Sequence, residues 1–208
     1  MTTSAPTLDF DLGDDFNTSD ANALHGLLEK KSHGLPMNVV EIGSWKGYST
    51  AIICYTLRTT GGHIFCVDHW KGSEGVPHHQ VAKQEDVFEI FKFNMTMFGY
   101  WDLITILRGD SVEMADQVEA GSVDFIFLDA DHRYHSVQAD LAAWLPKLRP
   151  AGTFAGHDCE LNYASISPRL RGKVDATLEQ DSFPYIELSP TDESSGVQRP
   201  AHAGVIKA

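Results

Sequence analysis

The 208-residue sequence predicts a single doubly wound α/β domain around a mostly parallel sheet. Three observations predict it. Short apolar runs alternate with stretches of helical period. The runs are nearly continuous in apolar character, as strands covered on both faces must be. Each run ends in glycine or polar residues at one end. The length suits one α/β domain with a full core. Residues 1–17, with Asp9, Asp11, Asp14 and Asp15, read as a flexible acidic arm, and 18–208 as the domain.

The elements follow in order. Thr18-Ser19-Asp20 offer N-caps to a first helix with Ala21, Leu24, Leu27 and Leu28 on one face. Met37–Gly43 is a strand that runs through a glycine turn into an apolar helix, Thr50–Leu57. His63–Asp68 is the second strand. The polar segment Lys71–Gln84, with Gly72, Gly75, His78 and His79, exceeds what the sheet needs and reads as a lid. Val81–Phe98 reads as one helix, with Phe88, Phe91, Met95 and Phe98 turned inward. Leu103–Leu107 is the third strand, Val112–Val118 a helix and Val123–Asp129 the fourth strand. Tyr134–Leu148 is a helix with Val137, Leu141, Trp144, Leu145 and Leu148 as its inner stripe. Thr153–Gly156 is the fifth strand. Tyr185–Leu188 and Ala203–Ile206, flanking the turn-rich Ser189–Pro200, read as a hairpin that closes the sheet antiparallel.

Sixteen basic residues against twenty-nine acidic ones give a formal charge of −13, which argues against nucleic acid or an anionic membrane as partner. The expected partner is a small molecule; the arm and first helix leave a homodimer open. Three cysteines are an odd set, and Cys54 and Cys66 sit inside apolar runs, so they read as buried thiols. With no signal-peptide pattern and no apolar run of membrane-spanning length, the expected location is cytoplasmic.

Ligands of such sheets bind beyond the carboxyl ends of the strands. Every strand here delivers polar groups to that rim: Glu41 and Gly43, then Asp68, His69 and Trp70, then Gly109, Asp110 and Ser111, then Asp129, Asp131 and His132, then His157 and Asp158. The first turn reads Glu41-Ile42-Gly43-Ser44-Trp45-Lys46-Gly47-Tyr48-Ser49. It lacks the G-x-G-x-x-G spacing that admits a pyrophosphate. A carboxylate at the strand end suits a cation, which points to the sulfonium of S-adenosylmethionine (SAM). Ser49, at a helix N-terminus with free backbone donors, suits a carboxylate group of the ligand. Asp68 can face a vicinal diol with both oxygens. Trp70 can wall an adenine or pack beneath the following loop. Asp110 and Ser111 can bond an adenine edge or cap the next helix.

Asp129, Asp131, His132, His157 and Asp158 crowd three carboxylates and two imidazoles onto neighbouring strand ends. Such crowding is costly without a cation among them.

The ordered set Glu41-x-Gly43-x-x-x-Gly47-Tyr48-Ser49, Val67-Asp68-His69-Trp70, Gly109-Asp110-Ser111, Phe127-Leu128-Asp129-Ala130-Asp131-His132 and Gly156-His157-Asp158 resembles class I SAM-dependent methyltransferases. It is most similar to the metal-dependent small-molecule O-methyltransferases of the catechol and macrolide-sugar type, within a generic methyltransferase family 24. The resemblance implies a Rossmann-like, seven-stranded sheet of order 3-2-1-4-5-7-6 with an antiparallel last strand. It implies SAM bound by Glu41, Gly43, Ser44, Trp45, Gly47, Ser49, Asp68, His69, Trp70, Asp110, Ser111 and Asp129. The implied metal ligands are Asp129, His157 and Asp158. His157 departs from the acidic residue usual there, so Mg²⁺ or Mn²⁺ is joined by Fe²⁺ or Zn²⁺ as a candidate. The implied base is His132, three residues past Asp129, with Asp131 as second choice. The expected activity is metal-assisted O-methylation of a sugar- or catechol-like small molecule. A hydroxylase-like enzyme on the same fold and a SAM-binding module without turnover are the alternatives.

Overall fold

The computed structural model describes residues 12, 16, 18–73, 77–157 and 204–207. Helix α1 (Thr18–Ser32) places Ala21, Leu24 and Leu28 in the core, as the periodicity predicts. The helix starts at Thr18, so Thr18-Ser19-Asp20 form its first turn instead of preceding it, and Asp20 is buried.

Among the described residues six strands follow the order β3-β2-β1-β4-β5-β6: β1 (Asn38–Ile42), β2 (His63–Asp68), β3 (Ile104–Arg108), β4 (Val123–Leu128), β5 (Leu148–Gly156) and β6 (Gly204–Lys207). All neighbours are parallel except β5 and β6, which are antiparallel. The reversed last strand is therefore present beside β5. The strand expected at Tyr185–Leu188, and with it the seven-strand order, lies outside the described residues, as does the greater part of residues 1–17.

Strand alternation sorts the core into two layers. Val39, Ile64, Cys66, Phe125, Phe127 and Ala155 face α1, α2 (Tyr48–Thr60) and α4 (Val87–Met97). Val40, Ile42, Val67, Leu107, Ile126, Leu128 and Phe154 face the other layer, which holds Ala115, Val137 and Trp144. Full burial of a side chain such as Phe91 or Met95 is worth about 2–3 kcal/mol. Cys54 and Cys66 are buried thiols, as expected, and burial pushes both well above the ordinary thiol range. Among the described residues no helix is long and apolar enough to cross a membrane.

The helix expected over Val81–Phe98 is two helices, α3 (Pro77–Gln84) and α4. Asp86 makes the break, accepting the Glu89 amide as the N-cap of α4. The segment expected as a lid thus carries a helix of its own with no buried residue, laid beside the first turn: His78 meets the Trp45 ring edge-on at 4.6 Å. Helices α5 (Ser111–Met114) and α6 (Tyr134–Trp144) complete the second layer.

Candidate active site

Register brings the polar strand ends together. Ile42 pairs with both Val67 and Leu128, Leu128 with Gly156, and Asp68 with Arg108. The ladder continues one residue further, from the Gly43 amide to Val67 O (2.8 Å), from Asp129 to Ile42 O (2.8 Å) and from His157 to Leu128 O (3.0 Å). Gly43, Asp68, Asp129 and His157 therefore stand along one edge, as predicted.

Between β1 and α2 the backbone needs glycine twice. Gly43 has φ +92°, and a Cβ there would lie 2.1 Å from the Asp129 carbonyl oxygen. Gly47 has φ +97° and forms the N-cap of α2 without a side-chain cap, so the first amides of the helix are not capped by a side chain. Beneath this turn Glu41 is fully buried. Burial pushes its carboxyl up to about 7; the hydroxyls of Ser44, Thr50 and Ser49 oppose the shift, and the Asp129 charge adds to it. Thr50 donates to Oε2. Among the described residues Oε1 and the buried Ser44 hydroxyl make no hydrogen bond of full geometry, although Ser44 and Ser49 stand close enough to stabilise the charged carboxyl. Ser49 is buried beside them.

Asp68 ties two turns together. Oδ2 accepts the Trp45 amide (2.9 Å) and Oδ1 the Trp70 amide (2.6 Å). Each oxygen retains a second lone pair, so a diol remains compatible with the clamp. Trp70 is only 3 % exposed and lies against Phe88 and Phe91. That corrects the adenine-wall reading: its ring supports the loop from below, because its indole N–H is drawn inward to Trp45 O (2.8 Å). Trp45 is the partly open tryptophan of the pair. His69 Nδ1 accepts the Lys71 amide (2.9 Å), leaving the rest of its ring partly exposed.

After β3, Asp110 caps α5, accepting the amides of Val112 (3.0 Å) and Glu113 (3.3 Å). The Ser111 hydroxyl donates to Asp140 of α6. Both contacts belong to the cap of α5 and its link to α6. Asp140 is an acid that sequence reading missed. Burial raises its carboxyl to about 6, Ser111 opposes this, and the charges of Asp110 and Asp131 reinforce it. The signal was its place in the apolar stripe, three residues after Val137 and four before Trp144.

Beyond β4, Asp131 accepts from the Arg133 amide (3.1 Å), the Arg133 guanidinium (2.5 and 2.8 Å) and the Ser136 hydroxyl (2.9 Å). Burial acts to raise its carboxyl. Hydrogen bonds from the Arg133 side chain and backbone and from Ser136, with the Arg133 charge, outweigh burial and hold it below the usual range. Asp131 therefore braces the turn into α6. His132, between Asp131 and Arg133, is exposed.

His157 is held from two sides: Nδ1 lies 3.4 Å from Asp129 Oδ1, and Nε2 lies 3.3 Å from Asp20 Oδ2. The Phe16 ring lies at 5.0 Å, tilted 38°. Phe16, Asp20, Leu24, Leu27, Phe127 and His157 line a narrow crevice between α1 and the sheet. Sequence reading took Asp20 for a cap. Its spacing, four residues before Leu24 and eight before Leu28, already placed it on the buried face.

SAM fits this edge on the structure's own terms. Among the described residues a buried carboxyl oxygen and a buried hydroxyl make no hydrogen bond of full geometry, and two left-handed glycines keep the turn open to close approach. For a metal, Asp129 Oδ1 and His157 Nδ1 have the spacing of two adjacent ligands with bonds of roughly 2.1 Å. Asp158, the third expected ligand, lies outside the described residues. Among the described residues no three His, Cys, Asp or Glu side chains converge as a ligand group.

Residues 40–159, more than half of the chain, match the family model described as "Methyltransferase domain" (methyltransferase family 24). The chain is 32% identical over 130 residues, 61% of its length, to the uncharacterized protein y4gI of Sinorhizobium fredii (strain NBRC 101917 / NGR234), and the match spans 13% of that protein. Among solved structures, the O-methyltransferase TomG of Streptomyces achromogenes, in complex with SAM, superposes with a TM-score of 0.56 at 15% identity over 82% of this chain and 69% of that one. An O-methyltransferase of Bacillus cereus in complex with SAH superposes with a TM-score of 0.56 at 21% identity, over 81% and 71%. These structural likenesses establish the fold. The chain thus belongs to the methyltransferase-domain family, built on the Rossmann-like sheet of the class I SAM-dependent methyltransferases.

Proposed function

We propose that the protein is a SAM-dependent O-methyltransferase acting on a hydroxyl of a small molecule with neighbouring hydroxyls, sugar- or catechol-like, assisted by a divalent cation. One observation carries the reading: the buried Glu41 carboxyl, with one oxygen in no hydrogen bond of full geometry among the described residues, sits under the glycine turn on the same sheet edge as Asp129 and His157.

Bound SAM supplies a sulfonium-activated methyl group for in-line displacement. Glu41 and Ser44 offer the positive end of that ligand an acceptor and a hydroxyl, Ser49 and the start of α2 offer donors, and Asp68 retains lone pairs for a diol. Asp129, His157 and Asp158 are the residues to hold a divalent cation, whose contribution would be a lower pKa for the acceptor hydroxyl. His132, exposed three residues beyond Asp129, takes the acceptor proton; Asp131, braced by Arg133, fixes the turn that presents it. The helix α3 beside Trp45 shields the site from water.

The test combines calorimetric titration of SAM, NAD⁺ and divalent ions with a methyl-transfer assay on catechols and sugars. SAM but not NAD⁺ should bind. Asp129→Ala should abolish metal-stimulated transfer while SAM still binds, and His132→Ala should lower turnover about 10²–10⁴-fold at unchanged SAM affinity. Transfer that persists in chelator with Asp129→Ala would end the metal part. NAD⁺ bound in preference to SAM would end the whole reading.

A further inference from the structure

We propose that Asp20 of helix α1 is a positioning residue of the active site, holding the His157 ring with its Nε2 edge toward the helix and its Nδ1 edge toward Asp129. The inference rests on the reading of Asp129 and His157 as a functional pair, and extends the site to a helix that lies outside the strand-end motifs.

An acid on the buried face of a helix is costly unless it is paired, and an apolar residue would serve packing better. Asp20 is 5 % exposed among Ala21, Leu24 and Phe16, and Oδ2 lies 3.3 Å from His157 Nε2. The opposite ring nitrogen lies 3.4 Å from Asp129 Oδ1, and Phe16 lies near the ring face. The imidazole is thus restrained at both nitrogens and on one face. A carboxylate at one nitrogen of an imidazole keeps the proton on that nitrogen and turns the other toward the reactive side. Here Asp20 fixes the ring so that the Nδ1 edge faces Asp129 Oδ1 at 3.4 Å. That gap is one that either the Nδ1 proton or, under the proposed function, a divalent cation can bridge. Asp20 thereby makes α1 part of the site's geometry.

The experiment uses the full chain with ¹⁵N-labelled histidine. Long-range ¹H–¹⁵N spectra report the state of each ring nitrogen, and His157→Gln identifies the His157 signals. Mn²⁺ alone, followed by its paramagnetic resonance, reports cation binding, and calorimetry with SAH reports the cofactor half. Asp20→Asn, which keeps size, and Asp20→Ala should both shift the His157 nitrogens away from the wild-type pattern. Mn²⁺ affinity should fall about tenfold or more, with SAH affinity unchanged. If Asp20→Ala fails to fold, Asp20→Asn decides. A wild-type His157 pattern in folded Asp20→Asn overturns the proposal, even if the variant melts earlier. Absence of Mn²⁺ binding to the wild-type protein sinks the metal part of the proposed function, and the ring signals alone then decide the role of Asp20.

Discussion

The indole N–H of Trp70 donates to the carbonyl of Trp45 at 2.8 Å, and both residues hold left-handed backbone, at φ +55° and +45°. Both amides end on Asp68. Left-handed backbone costs a non-glycine residue about 1–2 kcal/mol, so the clamp must outweigh that cost twice. Asp68 therefore sets the shape of two turns before any ligand arrives. Asp68→Ala should release both, lowering SAH affinity tenfold or more, measured by calorimetry. Trp70→Phe keeps the contact with Phe88 and Phe91 and should cost only about 1 kcal/mol in urea unfolding.

Glu41 makes stability depend on pH in a predictable sense. Its folded value, about 7, exceeds the ordinary 4.5, so the folded protein holds the extra proton between those values. Stability should fall as pH rises from about 4.5 to 7 and level off above. Glu41→Gln should remove that slope, leaving the variant more stable than wild type at pH 8 by about 3 kcal/mol. The same variant should bind SAM at least tenfold more weakly, for want of the carboxylate. Urea unfolding at several pH values, with calorimetry at one of them, checks both.

Asp140 adds a second, earlier component. Its carboxyl titrates near 6 when folded against 3.8 ordinarily, so its share of stability is lost as pH climbs between those values. Asp140→Asn should be stabilising above pH 6, and Ser111→Ala destabilising by about 1–2 kcal/mol, since the hydroxyl satisfies a buried carboxylate. Neither change should alter SAH affinity. A loss of SAH binding in Ser111→Ala would return that residue to the cofactor site.

Gly43→Ala should be among the most damaging small substitutions. Its methyl would meet the Asp129 carbonyl at 2.1 Å, on backbone that L-residues avoid. Thermal melts should fall by an amount equal to several kcal/mol, with SAH binding lost at temperatures where the protein is still folded.

How far the sequence reached is clearest at the sheet edge. Apolar runs with polar ends locate Glu41, Asp68, Asp129 and His157, because strand period and parallel register follow from local pattern and carry those ends to one side. The same local pattern could not say where a side chain would find its partner. Trp70 became a buried support because α4 lies against it, and Asp131 is tied into its turn because Arg133 folds back on it.

What sequence alone determined is the layered α/β fold, the turn chemistry at Gly43 and Gly47, and the row of polar strand ends, all set within a few residues of backbone. What tertiary structure decided is which acids are buried and against whom: Asp20 beside His157, Asp140 beneath Ser111, Glu41 against Thr50. Those pairings join residues 137, 29 and 9 positions apart, and the energy of a buried charge depends on the neighbour that packing supplies.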